Sequence, residues 1–212
     1  MSIISNLQRL QNDQIEAASR VAARALQNDP LSVHFYPDPI ERKIKTVTKC
    51  EFLILLGILS GEVYTTSSDI QGVAVWNTDG IKDQTIGKQS KEIIRKLRKV
   101  KRKMFSDRQF SEKYGITLEI NISLHNEHAN FPHWDLTLFT VDPLHQGNGY
   151  ANMLIKPKLL EIDKQNLPCY LNTQNENNLS LYEHFGFELV GKIKIPNSNV
   201  NYYGMLRNKK IS

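Results

Sequence analysis

The chain has 212 residues and a formal net charge of +5, and its 40% hydrophobic and 23% charged residues are those of an ordinary globular protein. It contains no run of 18 apolar residues, which excludes a hydropathy-driven membrane span, and the opening MSIISNLQRLQND lacks the basic region and apolar block of a secretory signal. No Pro/Gly/Ser-rich linker divides it, so residues 1–212 read as one domain. Cys50 and Cys169 lie far apart without ligand spacing, and we expect two buried free thiols in a reducing, cytoplasmic setting.

In chain order, residues 12–28 place Ile15, Ala18, Ala22, Ala25 and Leu26 on a stripe near period 3.6, which predicts a helix. Three prolines in NDPLSVHFYPDP break it. Residues 40–60 read as a second helix that carries the longest apolar run, FLILLGIL, and ends near Gly61. EVYTTSSDIQGVAVW reads as two short strands around a Ser-Ser-Asp turn. Residues 86–114 read as a basic helical insertion, in which 88–103 holds nine basic residues and one acidic one. A solvated helix face accounts for that charge; the alternative is attraction to polyanions. No aromatic residue interleaves with the charges, so a nucleic-acid partner is not expected. ITLEINISLH reads as a strand or an irregular extended stretch, followed by HNEHANFPHW, a polar loop with three histidines.

From Trp134 the pattern sharpens. WDLTLFTV is a strand. Residues 148–166 form a helix with Ala151, Ile155, Leu159 and Ile162 on one side and Pro157 inside it, where one helix hydrogen bond is lost. PCYLNT is a strand, and residues 177–185 a short helix ended by Gly186. FELVGKIKI and VNYYGMLR close as a strand pair. The order βαβα followed by two strands describes a mixed α/β sheet with one right-handed crossover.

The turn in VDPLHQGNGYANML, between strand and helix, exposes backbone N–H groups to an anion. A Walker loop needs Gly-Lys-Ser/Thr, but Tyr150 and Ala151 follow Gly149. A dinucleotide fingerprint needs a third small residue where Asn152 stands. Glycines that serve turn geometry alone are the bland alternative. Gln146-Gly147-Asn148-Gly149-Tyr150-Ala151 fits a third pattern, [RQ]-x-x-G-x-[GA].

That pattern is similar to the acyl-coenzyme A pyrophosphate loop of the GNAT family of N-acetyltransferases, and NENNLSLYEHFGFELVG resembles the family's Asn-x-x-x…LYEKxGF segment at the right distance downstream. HWDLTLFTVDPLHQGNGYANMLIKP looks most like the subgroup containing puromycin N-acetyltransferase, which also carries a His-Trp pair before the strand and a proline in the next helix. The resemblance covers about residues 130–191; the first hundred agree only in element order. It implies the GNAT fold, a mixed, mostly antiparallel sheet with a splayed central strand pair flanked by helices. It also implies acetyl-CoA as cosubstrate, no metal, and direct transfer to a primary amine of a small molecule. The alternatives are a protein lysine or N-terminal acetyltransferase, and a non-catalytic acetyl-CoA-binding protein with a nucleic-acid-binding helix. A second copy of the chain, as a homodimer, is a candidate partner.

Residue roles follow from the resemblance. The backbone of Gln146, Gly147, Asn148, Gly149, Tyr150 and Ala151 would wrap the pyrophosphate, and Phe139, Thr140 and Val141 would pair with the pantetheine arm through their backbone groups. Asn178 would bond the pantetheine amides, or else cap a helix. Tyr182 would be the general acid, protonated at neutral pH. Asp135 stands where histone-acetylating relatives carry a carboxylate base, with Glu119 in reserve. The puromycin-type subgroup usually has an aromatic residue at the Asp135 position and Glu where Asn172 stands. Phe35 and Tyr36 would line the acceptor pocket, and His133 would face the substrate. The spacing of His125, His128 and His133, in an irregular loop without a cysteine, lacks the ligand grammar of zinc sites.

Overall fold

A computed structural model describes residues 7–80 and 91–209. Strand β1 (Gln8–Arg9) leads into α1 (Ile15–Ala25), α2 (Pro30–Phe35) and α3 (Pro39–Ser60). The prolines that break the first helix also start the next two. Pro30 and Pro39 occupy the first helical position, where the missing N–H costs nothing. Asp29 and Asp38 cap the two helices, accepting from Leu31 N–H at 3.0 Å and Glu41 N–H at 2.7 Å. β2 (Gly61–Thr65) and β3 (Gly72–Asp79) form the expected hairpin.

The described part of the 86–114 segment is helical, as expected, and falls into two helices. Residues 86–90 lie outside the described residues. Beyond them α4 (Lys91–Met104) buries Ile93, Val100 and Met104, and α5 (Arg108–His128) starts at the Asp107 cap, which accepts from Phe110 N–H at 3.1 Å. Helix α5 corrects the reading of ITLEINISLH as extended. Its alternating β-branched residues imitate a strand, yet burial follows the helical spacing Phe110, Thr117, Leu124, and Ile116 and Ile122 are left exposed. His125 and His128 therefore sit on the last helical turn, not in a loop, and His133 opens a strand.

Then come β4 (His133–Val141), α6 (Tyr150–Lys164), β5 (Cys169–Thr173), α7 (Leu179–His184), β6 (Glu188–Lys194) and β7 (Asn201–Arg207). The sheet runs β1-β2-β3-β4-β5-β7-β6, antiparallel throughout except for the β4–β5 pair. That parallel pair holds only at Trp134↔Cys169 and Asp135↔Tyr170, after which the two strands part. Alternating β3 residues feed opposite faces. Val73 and Val75 pack in the core beneath α1 to α5, and Ala74 and Trp76 in the core shared with α6 and α7. In β4 the alternation is interrupted. Leu136 pairs with Trp76 and Leu138 with Val75, which leaves Thr137 as the extra residue of a bulge and sends Leu136 and Leu138 to different cores. Cys50 and Cys169 are free and buried, as expected. No helix among the described residues is long and apolar enough to cross a membrane.

Candidate active site

Where β4 leaves β5, two cavities open along the gap. The first, about 650 Å³, runs past Phe139, Thr140 and Val141 to the turn before α6 and is lined there by Gln146, Gly147, Gly149, Tyr150 and Ala151. The turn leaves backbone N–H groups and open space facing the cavity. Gly147 and Gly149 take φ of +82° and +80°, which disfavours ordinary L side chains, and a Cβ at either would meet no atom within 4 Å. Gly149 is the N-cap of α6 and offers no side-chain cap, so the N–H groups of that helix's first turn are left to the cavity. Gln146 Nε2 donates back to the Val141 carbonyl at 3.3 Å and holds the turn against the strand. Asn148 does not line the cavity; its amide donates to the His145 carbonyl at 3.2 Å and braces the turn from outside. Thr140 contributes backbone, because its hydroxyl donates to the Val73 carbonyl at 3.4 Å.

The second cavity, about 400 Å³, lies beyond the splay and is lined by Phe35 of α2, Asn121 and His125 of α5, Asp79 of β3, Asp135 and Thr137 of β4 and Asn172 of β5. Leu26, Asp29, Phe139, Asn178 and Tyr182 line both cavities, so the two meet at the Tyr182 ring. That ring packs against Phe139 and Phe187, with centroids 6.3 and 6.1 Å away. Burial, reinforced by the Asp29 charge, pushes the Tyr182 phenol above its ordinary value, so it keeps its proton at neutral pH. Asn178 precedes α7 without capping it, which leaves its amide to the junction.

Asp135 is oriented by a chain of side chains. Ser60 Oγ donates to Asn77 Oδ1 at 2.9 Å, Asn77 Nδ2 donates to Thr137 Oγ1 at 2.7 Å, and Thr137 Oγ1 donates to Asp135 Oδ1 at 2.8 Å. The bulge at Thr137 sets the last link. Burial raises the Asp135 carboxyl, and the Thr137 hydrogen bond opposes it. Asn172, where a carboxylate would mark the puromycin-type subgroup, is tied up with Asn121 at 2.8 Å and Gln174 at 2.9 Å.

No protein-family model matches the chain. An uncharacterized N-acetyltransferase of Schizosaccharomyces pombe is 24% identical over 196 residues, covering 90% of this chain and 77% of that protein. A structure described as histone acetyltransferase HPA2 and related acetyltransferase, from Corynebacterium glutamicum, superposes with a TM-score of 0.65 at 18% identity, over 98% of this chain and 97% of the other. Arylalkylamine N-acetyltransferase 2 of Aedes aegypti gives a TM-score of 0.58 at 13% identity, over 96% and 98%. The chain has the GNAT fold. Its mixed, mostly antiparallel sheet with a splayed central pair is the one the resemblance implied.

Other site expectations are corrected. Tyr36 does not line the second cavity; it is buried and stacked on Phe110, with ring centroids 5.7 Å apart and planes 4° from parallel. His133 does not face the cavity either. It is fully buried behind His125, with Nε2 3.1 Å from His125 Nε2. His128 is apart from both, against the backbone of Gly191. Glu119 is exposed on α5 and lines neither cavity. Sequence reasoning missed Asp29, Asp79, Asn121 and His145 as cavity residues. Asn121 was hidden by the strand-like alternation of α5, whereas Asp29 had a signal in its Asp-Pro cap.

Proposed function

We propose that the chain is an N-acetyltransferase, one catalytic domain that moves acetyl from acetyl-CoA directly to a primary amine of a small molecule. The observation that supports this best is the junction: an anion-binding channel and a separate acidic cavity meet at one buried, protonated tyrosine. The channel fits the cosubstrate. The first turn of α6 and the open space over Gly147 and Gly149 would hold the pyrophosphate, and the edge of β4 freed from β5 would pair with the pantetheine amides, as would Asn178. Acetyl-CoA, when bound, supplies the activated acetyl thioester. Tyr182 Oη holds the proton for a leaving thiolate. The Asp135 carboxylate, aimed by Thr137, takes the proton from an incoming ammonium. Asp29 and Asp135 outnumber Lys49 in the cavity lining and offer carboxylates to such a cation. Cys169 is buried, with its thiol pushed well above its ordinary range, so it is no nucleophile for a covalent relay. The buried free thiols also suit a reducing cytoplasm.

The test is release of free thiol from acetyl-CoA over a panel of arylalkylamines, polyamines and lysine-bearing peptides. Turnover with a small amine that is lost in Tyr182→Phe supports the proposal. Turnover with peptides alone would favour a protein acetyltransferase. Binding of acetyl-CoA without turnover on any amine would favour a sensor.

A further inference from the structure

We propose that Asp79, His125 and His133 form a binding site for a divalent transition-metal ion of the zinc class at the edge of the acceptor cavity. The sequence shows no such site, because its ligands come from three elements and one of them is not a histidine. The fold assembles it. Asp79 and His133 are cross-strand partners at the paired ends of β3 and β4, and His125 reaches them from the last turn of α5. Their ligand atoms all lie within 4.8 Å of one another.

The hydrogen-bond geometry favours a cation. His133 Nδ1 is 2.7 Å from the Phe131 carbonyl oxygen, which can only accept. That nitrogen therefore carries the ring proton, and Nε2 presents a lone pair, as second-shell carbonyls arrange in metal-bound histidines. His125 Nε2 is 3.1 Å from His133 Nε2 and 3.4 Å from Asp79 Oδ2. Both neighbours are acceptors, and a neutral His125 has one proton to share between them. A dication at the centre would engage all three lone pairs. Bonds of about 2.0–2.2 Å at tetrahedral angles put neighbouring ligand atoms about 3.3–3.6 Å apart, close to the two separations from His125 Nε2. His133 is fixed by burial, and the Asp79 side chain, 59% exposed, has rotamer freedom to close the third edge. Two imidazoles and one carboxylate select zinc or cobalt over magnesium or calcium. Asp79 and His125 line the acceptor cavity, so the fourth position faces that space.

The experiment titrates cobalt(II) alone into chelator-stripped full-length protein, follows the visible absorption of four-coordinate cobalt, and then displaces it with zinc. Wild type should saturate at one equivalent, and Asp79→Asn and His125→Gln should each bind at least about tenfold more weakly, a loss of about 1.4 kcal/mol. Asp79 sits at an exposed strand end, so Asp79→Asn keeps the fold, which a thermal melt verifies. Zinc should also raise the melting temperature of wild type but not of the variants. Absence of saturable uptake by wild type, or equal affinity in all three proteins, would overturn the site.

Discussion

Arg24 on α1 is paired with Asp142 at the end of β4, its Nε donating to Asp142 Oδ2 at 2.9 Å, while Asp142 Oδ1 accepts from Leu144 N–H at 3.1 Å. One buried carboxylate thus ties the turn before α6 both to the helical layer and to its own backbone. Burial works against the Asp142 charge, but the Arg24 and Leu144 hydrogen bonds outweigh it and hold the carboxyl below its ordinary range. A depressed folded-state pKa stabilises above the unfolded value of about 3.9 and loses that contribution as pH falls through the folded value. Asp142→Asn should cost about 1–2 kcal/mol at neutral pH, discounted for the half-exposed arginine. Unfolding curves of wild type and variant should converge as pH drops below about 4. A gap that persists in acid would contradict the ion-pair account.

Tyr182→Phe should lower kcat by about 100-fold and leave acetyl-CoA affinity within about twofold, because only the proton donor is removed and the packing on Phe139 and Phe187 remains. With the phenol raised by burial, wild-type kcat should show no loss of the acid up to pH 10, the ordinary tyrosine value. Steady-state thiol release across pH reads both.

Asp135→Asn should lower kcat/KM by about 100-fold with a cationic amine. Thr137→Val, which cuts the link from Asn77 to Asp135, should lower kcat by about tenfold and leave KM for acetyl-CoA unchanged. If both variants turn over like wild type, Asp135 is a cavity-wall residue and not the base.

Lys158 on α6 is fully buried. Its ammonium is paired with Glu62, lies 2.8 Å from Glu161 Oε1, and sits 3.6 Å from the centroid of the Trp134 ring. Lys158→Met keeps most of the volume and removes the buried cation from between Glu62, which keeps Arg9 and the Tyr64 hydroxyl, and Glu161, which keeps Gln165, so it should destabilise by about 1–3 kcal/mol in chemical denaturation. A loss below about 1 kcal/mol would mean that the carboxylates regain solvent.

The legible part of this chain was the strand, turn and helix around 141–154, where a period-2 run, two glycines and a period-3.6 run each carry their own signature. The Gln146–Ala151 pattern found the channel because that chemistry is local and backbone-borne. The acceptor side was not legible, for three physical reasons. The strand-like alternation in α5 hid the elements that deliver Asn121 and His125. The bulge at Thr137, which moves Leu138 to the opposite core from Leu136, leaves no mark in a run of alternating residues. Asp79 and Lys158 carry no local signal in the sequence, and only the β3–β4 register and the packing of α6 give them partners.

The most direct measurement is calorimetric titration of acetyl-CoA into wild type and Gly149→Asp. Asp tolerates the left-handed backbone better than most residues, and its Cβ has open space, so the variant should fold. Its carboxylate would occupy the position assigned to the pyrophosphate. The account predicts micromolar binding by wild type and none by the variant. Failure of folded wild type to bind, or equal binding by both, would contradict it.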